Sequence, residues 1–127
     1  MAANKTVTLG PIALTTTTTT NLFSPPTLTG GTNVPPVSTN SYYIIRHVTI
    51  TNKTGSSATA TIYKDATGGN TAGKEVIAAA TTIAANSVYH WYGALRLSSD
   101  ETDKFLVGGA SANTALTIEA EAEMGVV

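Results

Sequence analysis

The sequence predicts an all-β protein, an antiparallel β-sandwich of seven or eight short strands preceded by an extended N-terminal arm. Three observations carry that expectation. Apolar residues recur with period two in each patterned segment, and no stretch supports a long amphipathic helix. Clusters of glycine, proline, asparagine and serine cut the chain into pieces of strand length. Residues 6–45 hold no charged side chain but twelve threonines and all five prolines, a composition that favours extended backbone over helix or solvated coil.

The elements follow in order. Thr6-Val7-Thr8-Leu9 alternates, Gly10-Pro11 interrupts it, and Ile12 and Leu14 resume it before the run of threonines at 15–20. Proline has no N–H to give a ladder, so Pro11 confines this strand to an edge or to a short piece. Residues 22–40 read as a loop, punctuated by Ser24-Pro25-Pro26, Gly30-Gly31 and Val34-Pro35-Pro36. Residues 42–52 form the clearest strand, with Tyr42, Ile44, Val48 and Ile50 expected on one face. Tyr43, Ile45, His47, Thr49 and Thr51 fall on the other. A turn at 52–56 leads to a return strand at 58–65. A glycine-rich loop at 66–74 precedes a short apolar strand at 75–79, and a turn at 84–87 leads into an aromatic strand at 88–92. Short strands at 95–97 and 105–107 flank an acidic loop at 98–104. The last strand, 114–123, places Leu116, Ile118, Ala120 and Ala122 inward and Thr117, Glu119, Glu121 and Glu123 outward.

This gives two parts, an arm at 1–41 and a sandwich at 42–127. A neutral, β-branched arm has nothing to repel a neighbouring strand, so it must lie on a surface, its own domain's or a neighbouring subunit's. Strand addition would supply backbone hydrogen bonds, while Val7, Leu9, Ile12, Leu14, Leu22 and Phe23 fill apolar grooves on the partner. Ordering such an arm costs roughly 1–2 kcal/mol per residue in backbone entropy. That cost suits a lattice or a closed homo-oligomer, where small contacts repeat.

Composition narrows the function classes. At 127 residues the chain fits one domain. Only 12% of residues are charged, and the net charge of −1 offers no electrostatic footprint for nucleic acid. No apolar run reaches the roughly 20 residues needed to cross a bilayer, and Met-Ala-Ala-Asn-Lys lacks the apolar core of a secretory signal. The expected partners therefore include neither nucleic acid nor membrane, and synthesis is expected in the cytoplasm. With no cysteine there is no disulfide or thiolate chemistry.

Candidate sites are few. His47 and His90 read as half-exposed strand residues without an oriented partner, so no catalytic residue is assigned. Asp100-Glu101-Thr102-Asp103 is the densest carboxylate group but lacks the spacing and glycine of a calcium loop. Gly68-Gly69-Asn70-Thr71-Ala72-Gly73-Lys74 lacks P-loop spacing, and a strand rather than a helix follows. No metal or cofactor is expected. Tyr89 and Trp91 share one strand face, with Tyr92 opposite; at least one ring of such a strand is expected in the core, and a partly exposed Tyr89–Trp91 pair is the candidate surface contact. Glu119, Glu121 and Glu123 make a one-sided acidic ladder, a solvated face that also guards an edge.

The segment from Tyr43-Ile44-Ile45-Arg46-His47 through Asn52-Lys53-Thr54-Gly55-Ser56-Ser57-Ala58-Thr59-Ala60-Thr61-Ile62-Tyr63 resembles a pattern in tailed-bacteriophage structural proteins. Ile83-Ala84-Ala85-Asn86-Ser87 before an aromatic strand is similar, as is Gly109-Ala110-Ser111-Ala112-Asn113 before Leu116-Thr117-Ile118. The resemblance covers about residues 42–123, in motif order. It implies a virion position for this chain, as a capsid decoration or cement protein, or as a tail, baseplate or fibre accessory. The implied partners are the major capsid protein or tail proteins, and further copies of the chain. A carbohydrate-binding module for host attachment, using Tyr89 and Trp91, is the alternative from another class.

Overall fold

The computed structural model describes residues 5–26 and 41–126. Over these residues the chain forms β1 (Lys5–Ala13), β2 (Asn21–Phe23), β3 (Ser41–Asn52), β4 (Ala58–Asp65), β5 (Thr81–Ile83), β6 (Ser87–Ser98), β7 (Phe105–Ala110) and β8 (Leu116–Val126). Sheet A has the order β1-β8-β3-β6 and sheet B the order β2-β7-β4-β5. All neighbours are antiparallel. The pairs β1–β8, β2–β7, β3–β6 and β4–β5 are those of an eight-stranded jelly roll, a sandwich of two Greek keys.

Alternation builds the core as expected for β8: Leu116, Ile118, Ala120 and Ala122 are all buried, and the glutamates between them are not. They meet Ile45, Val48 and Ile50 of β3 and, from sheet B, Ala58, Ala60, Ile62, Ile83 and Leu106. At the β3–β4 turn the buried Asn52 side chain is fully satisfied. Its amide donates to the carbonyls of Ser56 and Ile83, and its oxygen accepts from the Thr54 backbone and hydroxyl.

The first described residues are not an arm. β1 pairs with β8 from Lys5↔Met124 to Ala13↔Thr117, and the chain then crosses to the other sheet, where β2 pairs with β7. Leu14 sits at the crossing and is fully buried, while Leu22 and Phe23 are buried in the same core. Val7, Leu9 and Ile12 pack against it. The six residues expected to fill a partner's grooves thus fill the chain's own, and the sandwich begins before residue 42. The physical reason is that a neutral, threonine-rich strand docks equally well on its own fold. The threonine run makes the corner rather than a strand. Thr15 and Thr20 carbonyls accept from Ala110 and Gly108, and Thr16 N–H donates to Asn113 Oδ1. Residues 27–40, the greater part of the expected loop, lie outside the described residues.

Smaller differences follow from local geometry. Only Glu75 of the expected strand at 75–79 makes a bridge, to Tyr63, and β5 lies beyond it at Thr81–Ile83. The two short strands expected at 88–92 and 95–97 are one strand, β6, with a register shift within it.

The two sheets differ on their outer faces. Sheet B is roofed. Val107 is fully buried yet stands outside the main core cluster, and a Cβ on Gly109 would come within 2.6 Å of Thr15 O and 2.8 Å of Thr17 O. The threonine corner therefore lies directly on β7. The loop at 66–74 adds to this cover: Gly68 N–H donates to Asn21 Oδ1, and Asn70 Nδ2 donates to Thr18 Oγ1. Sheet A has no such roof among the described residues, and it carries the side chains of most chemical interest.

Candidate functional site

The outer face of sheet A is set by a bulge in β3. Its register against both β6 and β8 shifts between Ile45 and His47. Two consecutive residues, Arg46 and His47, consequently face outward, while Ile45 and Val48 on either side are fully buried. Strict alternation had put Ile45 and His47 on one face; the bulge separates them, as such insertions re-aim side chains elsewhere.

The bulge brings His47 beside the outward residues of β6. His47 Nε2 and His90 Nδ1 are 3.0 Å apart. The ring centroids are 5.3 Å apart, which is the nitrogen separation plus one ring radius at each end, and the planes differ by 14°. The two imidazoles therefore meet edge to edge in nearly one plane, through a straight N–H···N bond. One ring donates and the other accepts, so a single proton lies between them. Tyr92 stacks over His47 with centroids 4.4 Å apart and planes only 3° apart.

Around this cluster the face is polar and open. Arg46 donates to Glu123 Oε2 from Nε at 3.0 Å and from Nη2 at 2.8 Å. Glu121 stands opposite His47 and Glu119 opposite Thr49 in the β3–β8 register. Arg96 lies 5.1 Å over the Tyr42 ring. Two shallow depressions open here, of about 230 Å³ by Thr49, Lys53 and Glu119, and about 160 Å³ by Arg46, Glu121 and Glu123. Among the described residues the large apolar side chains left exposed are Tyr92 (70%) and Val88 (45%), both on β6 and both outward.

The expected contact pair is placed differently. Tyr89 and Trp91 do share a face, but it is the inner one, where both pack against the core. Tyr89 donates its hydroxyl to the Ile77 carbonyl at 2.6 Å. The Trp91 ring lies across Gly93, whose missing Cβ leaves it room. The exposed ring is Tyr92. Alternation sets it on the opposite face from Tyr89 and Trp91, as the structure has it, and it is the outward ring. The His47–His90–Tyr92 cluster was out of reach, since it needs the β3–β6 register; Gly93, at the register shift on β6, is the one local signal of the irregularity.

The remaining candidates are engaged in structure. Lys74 bridges Asp65 at 3.2 Å and Asp103 at 3.0 Å, and Lys64 reaches Glu101 at 3.5 Å. The Ser98 hydroxyl donates to Asp100, holding its carboxyl below the usual range. Among the described residues no group of three or more metal-ligating side chains converges. The glycine-rich loop folds around Asp65 instead of an anion. Asp65 is buried at the end of β4 and accepts from the N–H groups of Thr71 and Ala66. These bonds, the Thr71 one foremost, hold its carboxyl far below the ordinary carboxylate range. Gly69 has no Cβ where that carboxylate sits. Gly68, Gly69 and Gly73 give their N–H groups to Asn21, Ala66 and Glu75, so none is left to cradle a phosphate.

No protein-family model matches this chain, and no curated protein or solved structure matches it significantly.

Proposed function

We propose that this chain is a non-enzymatic virion structural protein, a decoration or cement protein of a bacteriophage capsid. The observation that carries the reading is the contrast between the sheets: one outer face is roofed by the chain's own loops, and the other is broad, shallow and bare. A flat sheet face bearing an exposed tyrosine, a histidine pair and a charged row suits docking on a macromolecule. A small substrate is ordinarily bound in a concave, largely apolar pocket.

Two further points support it. Jelly rolls recur in viral capsid and lectin domains, a fold-level analogy only. The motif order of residues 42–123 resembles that of phage structural proteins. On this reading the chain is made in the host cytoplasm and ends in the virion, against the coat lattice. The bare face replaces the leader as the coat contact. Immunogold labelling of purified virions with an antibody to this chain tests the proposal. Label over the capsid shell is expected; label at the tail moves the protein to the tail-accessory class, and its absence from virions overturns the virion role.

A carbohydrate-binding reading is favoured by one specific observation, the Tyr92 ring stacked on His47 with most of its surface exposed. It rests on Tyr92 and not on Tyr89 and Trp91, which face the core. Glycan-array binding that Tyr92→Ala abolishes, on a chain absent from virions, would establish it.

A further inference from the structure

The sandwich has four sheet edges, and they are not equally protected. β2 and β5 are three residues each, too short to template another chain. β1 is longer, but its register shifts between Leu9 and Ile12, and Pro11 offers no N–H. β6 is different. It runs twelve residues, is paired only with β3, and among the described residues no other backbone hydrogen bond reaches Val88 through Leu97. From Ser87 to Leu95 it carries no charge and no proline. Its run from Ser87 to Tyr92 is regular, with each residue matched in turn from Asn52 to His47. Such an edge, rich in aromatic residues, is a template for strand pairing unless something covers it.

We infer that the cover is a second copy of this chain, paired antiparallel through β6 about a two-fold axis at His90. The register follows from symmetry. A two-fold perpendicular to the sheet keeps both outer faces on one side, and directly opposed residues must share a face. The axis must then pass through a residue, not between two. Placed at His90, it sets Val88 of each copy opposite Tyr92 of the other. The two large apolar side chains left exposed among the described residues thereby cover one another, as a favourable aromatic–β-branched cross-strand pair. On the inner side Tyr89 meets Trp91. Arg96 falls beyond the regular run, so no like charges oppose. Axes at Tyr89 or Trp91 leave Tyr92 or Val88 uncovered. The product is one eight-stranded sheet with a continuous outer face, on which the His47–His90 pairs of both copies adjoin at the axis.

This inference gives the proposed assembly role its self-contact, and it is separable from that role by experiment. Analytical ultracentrifugation of the full chain should show a dimer, and Val88→Lys or Tyr92→Lys should weaken association by at least about tenfold with an unchanged circular dichroism spectrum. The register has its own test, because the chain has no cysteine. A single His90→Cys faces itself across the axis at disulfide range and should form a covalent dimer on mild oxidation, while Thr8→Cys on the β1 edge should form none. A wild-type chain that sediments as a monomer, a dimer that survives both lysine variants, or crosslinking through Thr8→Cys but not His90→Cys overturns the β6 pairing. A monomer that still labels virions overturns this pairing alone. A β6 dimer absent from virions upholds it and overturns the virion role.

Discussion

The leader through β1 and β2, and the edge strand β6, are both nearly uncharged and β-branched or aromatic, and each lies at a sheet margin. Their surroundings are opposite. The leader crosses from one sheet to the other and buries Leu14, Leu22 and Phe23 in the common core. β6 turns Tyr89 and Trp91 inward but leaves Val88 and Tyr92 in water. Lack of charge marks a strand that needs a docking surface, and it does not say whose surface that is. Edge protection does: β1 is closed by a bulge and a proline, while β6 has neither device at its regular end. The part of the molecule expected to reach a partner is built into the core, and the aromatic strand carries the free edge.

The strongest way to break that comparison is to cut the leader's core contact. Leu14→Ala removes a fully buried side chain at the point where the chain changes sheets, and it should cost about 2–5 kcal/mol of unfolding free energy in urea titrations. An arm lying on a partner would show no change in the isolated protein.

A second experiment sharpens the comparison by titrating the loop that clasps the leader. Residues 66–74 reach the threonine corner through Gly68 and Asn70, and Asp65 organises them. The Asp65 carboxyl is held well below its ordinary value by the Thr71 and Ala66 N–H groups, with Lys74 adding to them. Its folded pKa is the lower one, so its contribution is complete above the ordinary carboxylate range, near pH 4, and is lost as pH falls from there toward the folded value. Asp65→Asn should be less stable than wild type at pH 7, with a gap that narrows steadily as the pH falls below about 4. Thermal melts across that range measure it, and a constant gap would remove Asp65 from the clasp.

How much of this was legible in the chain follows from range. Period-two alternation is local, so β4, β8 and the core set Leu116, Ile118, Ala120 and Ala122 could be read directly. What could not be read is set by partners distant in sequence. The leader's place depends on β7 and β8, roughly a hundred residues away, and the outer cluster depends on a bulge at Arg46 that no neighbour in β3 signals. Truncating the first forty residues therefore removes β1 and β2 from the fold, and tests folding before it tests assembly.

The finest comparison lies within β6 itself, between two tyrosines three residues apart. Tyr89 faces inward and donates to the Ile77 carbonyl, a buried-side bond whose loss leaves an acceptor without its donor. Tyr89→Phe should accordingly cost on the order of 1 kcal/mol and leave association unchanged. Tyr92 stands 70% exposed, and its main contact is the His47 ring. Tyr92→Ala should change unfolding free energy by no more than about 0.5 kcal/mol, since a surface stack is all it removes. The same substitution should nevertheless weaken self-association measurably, because it strips the side chain that would cover Val88 of a second copy. Stability and association thus respond to different tyrosines of one strand. If Tyr92→Ala instead lowered stability as much as Tyr89→Phe and left sedimentation unchanged, the outer face of β6 would be ordinary surface, and the distinction between it and the leader would lose its functional meaning.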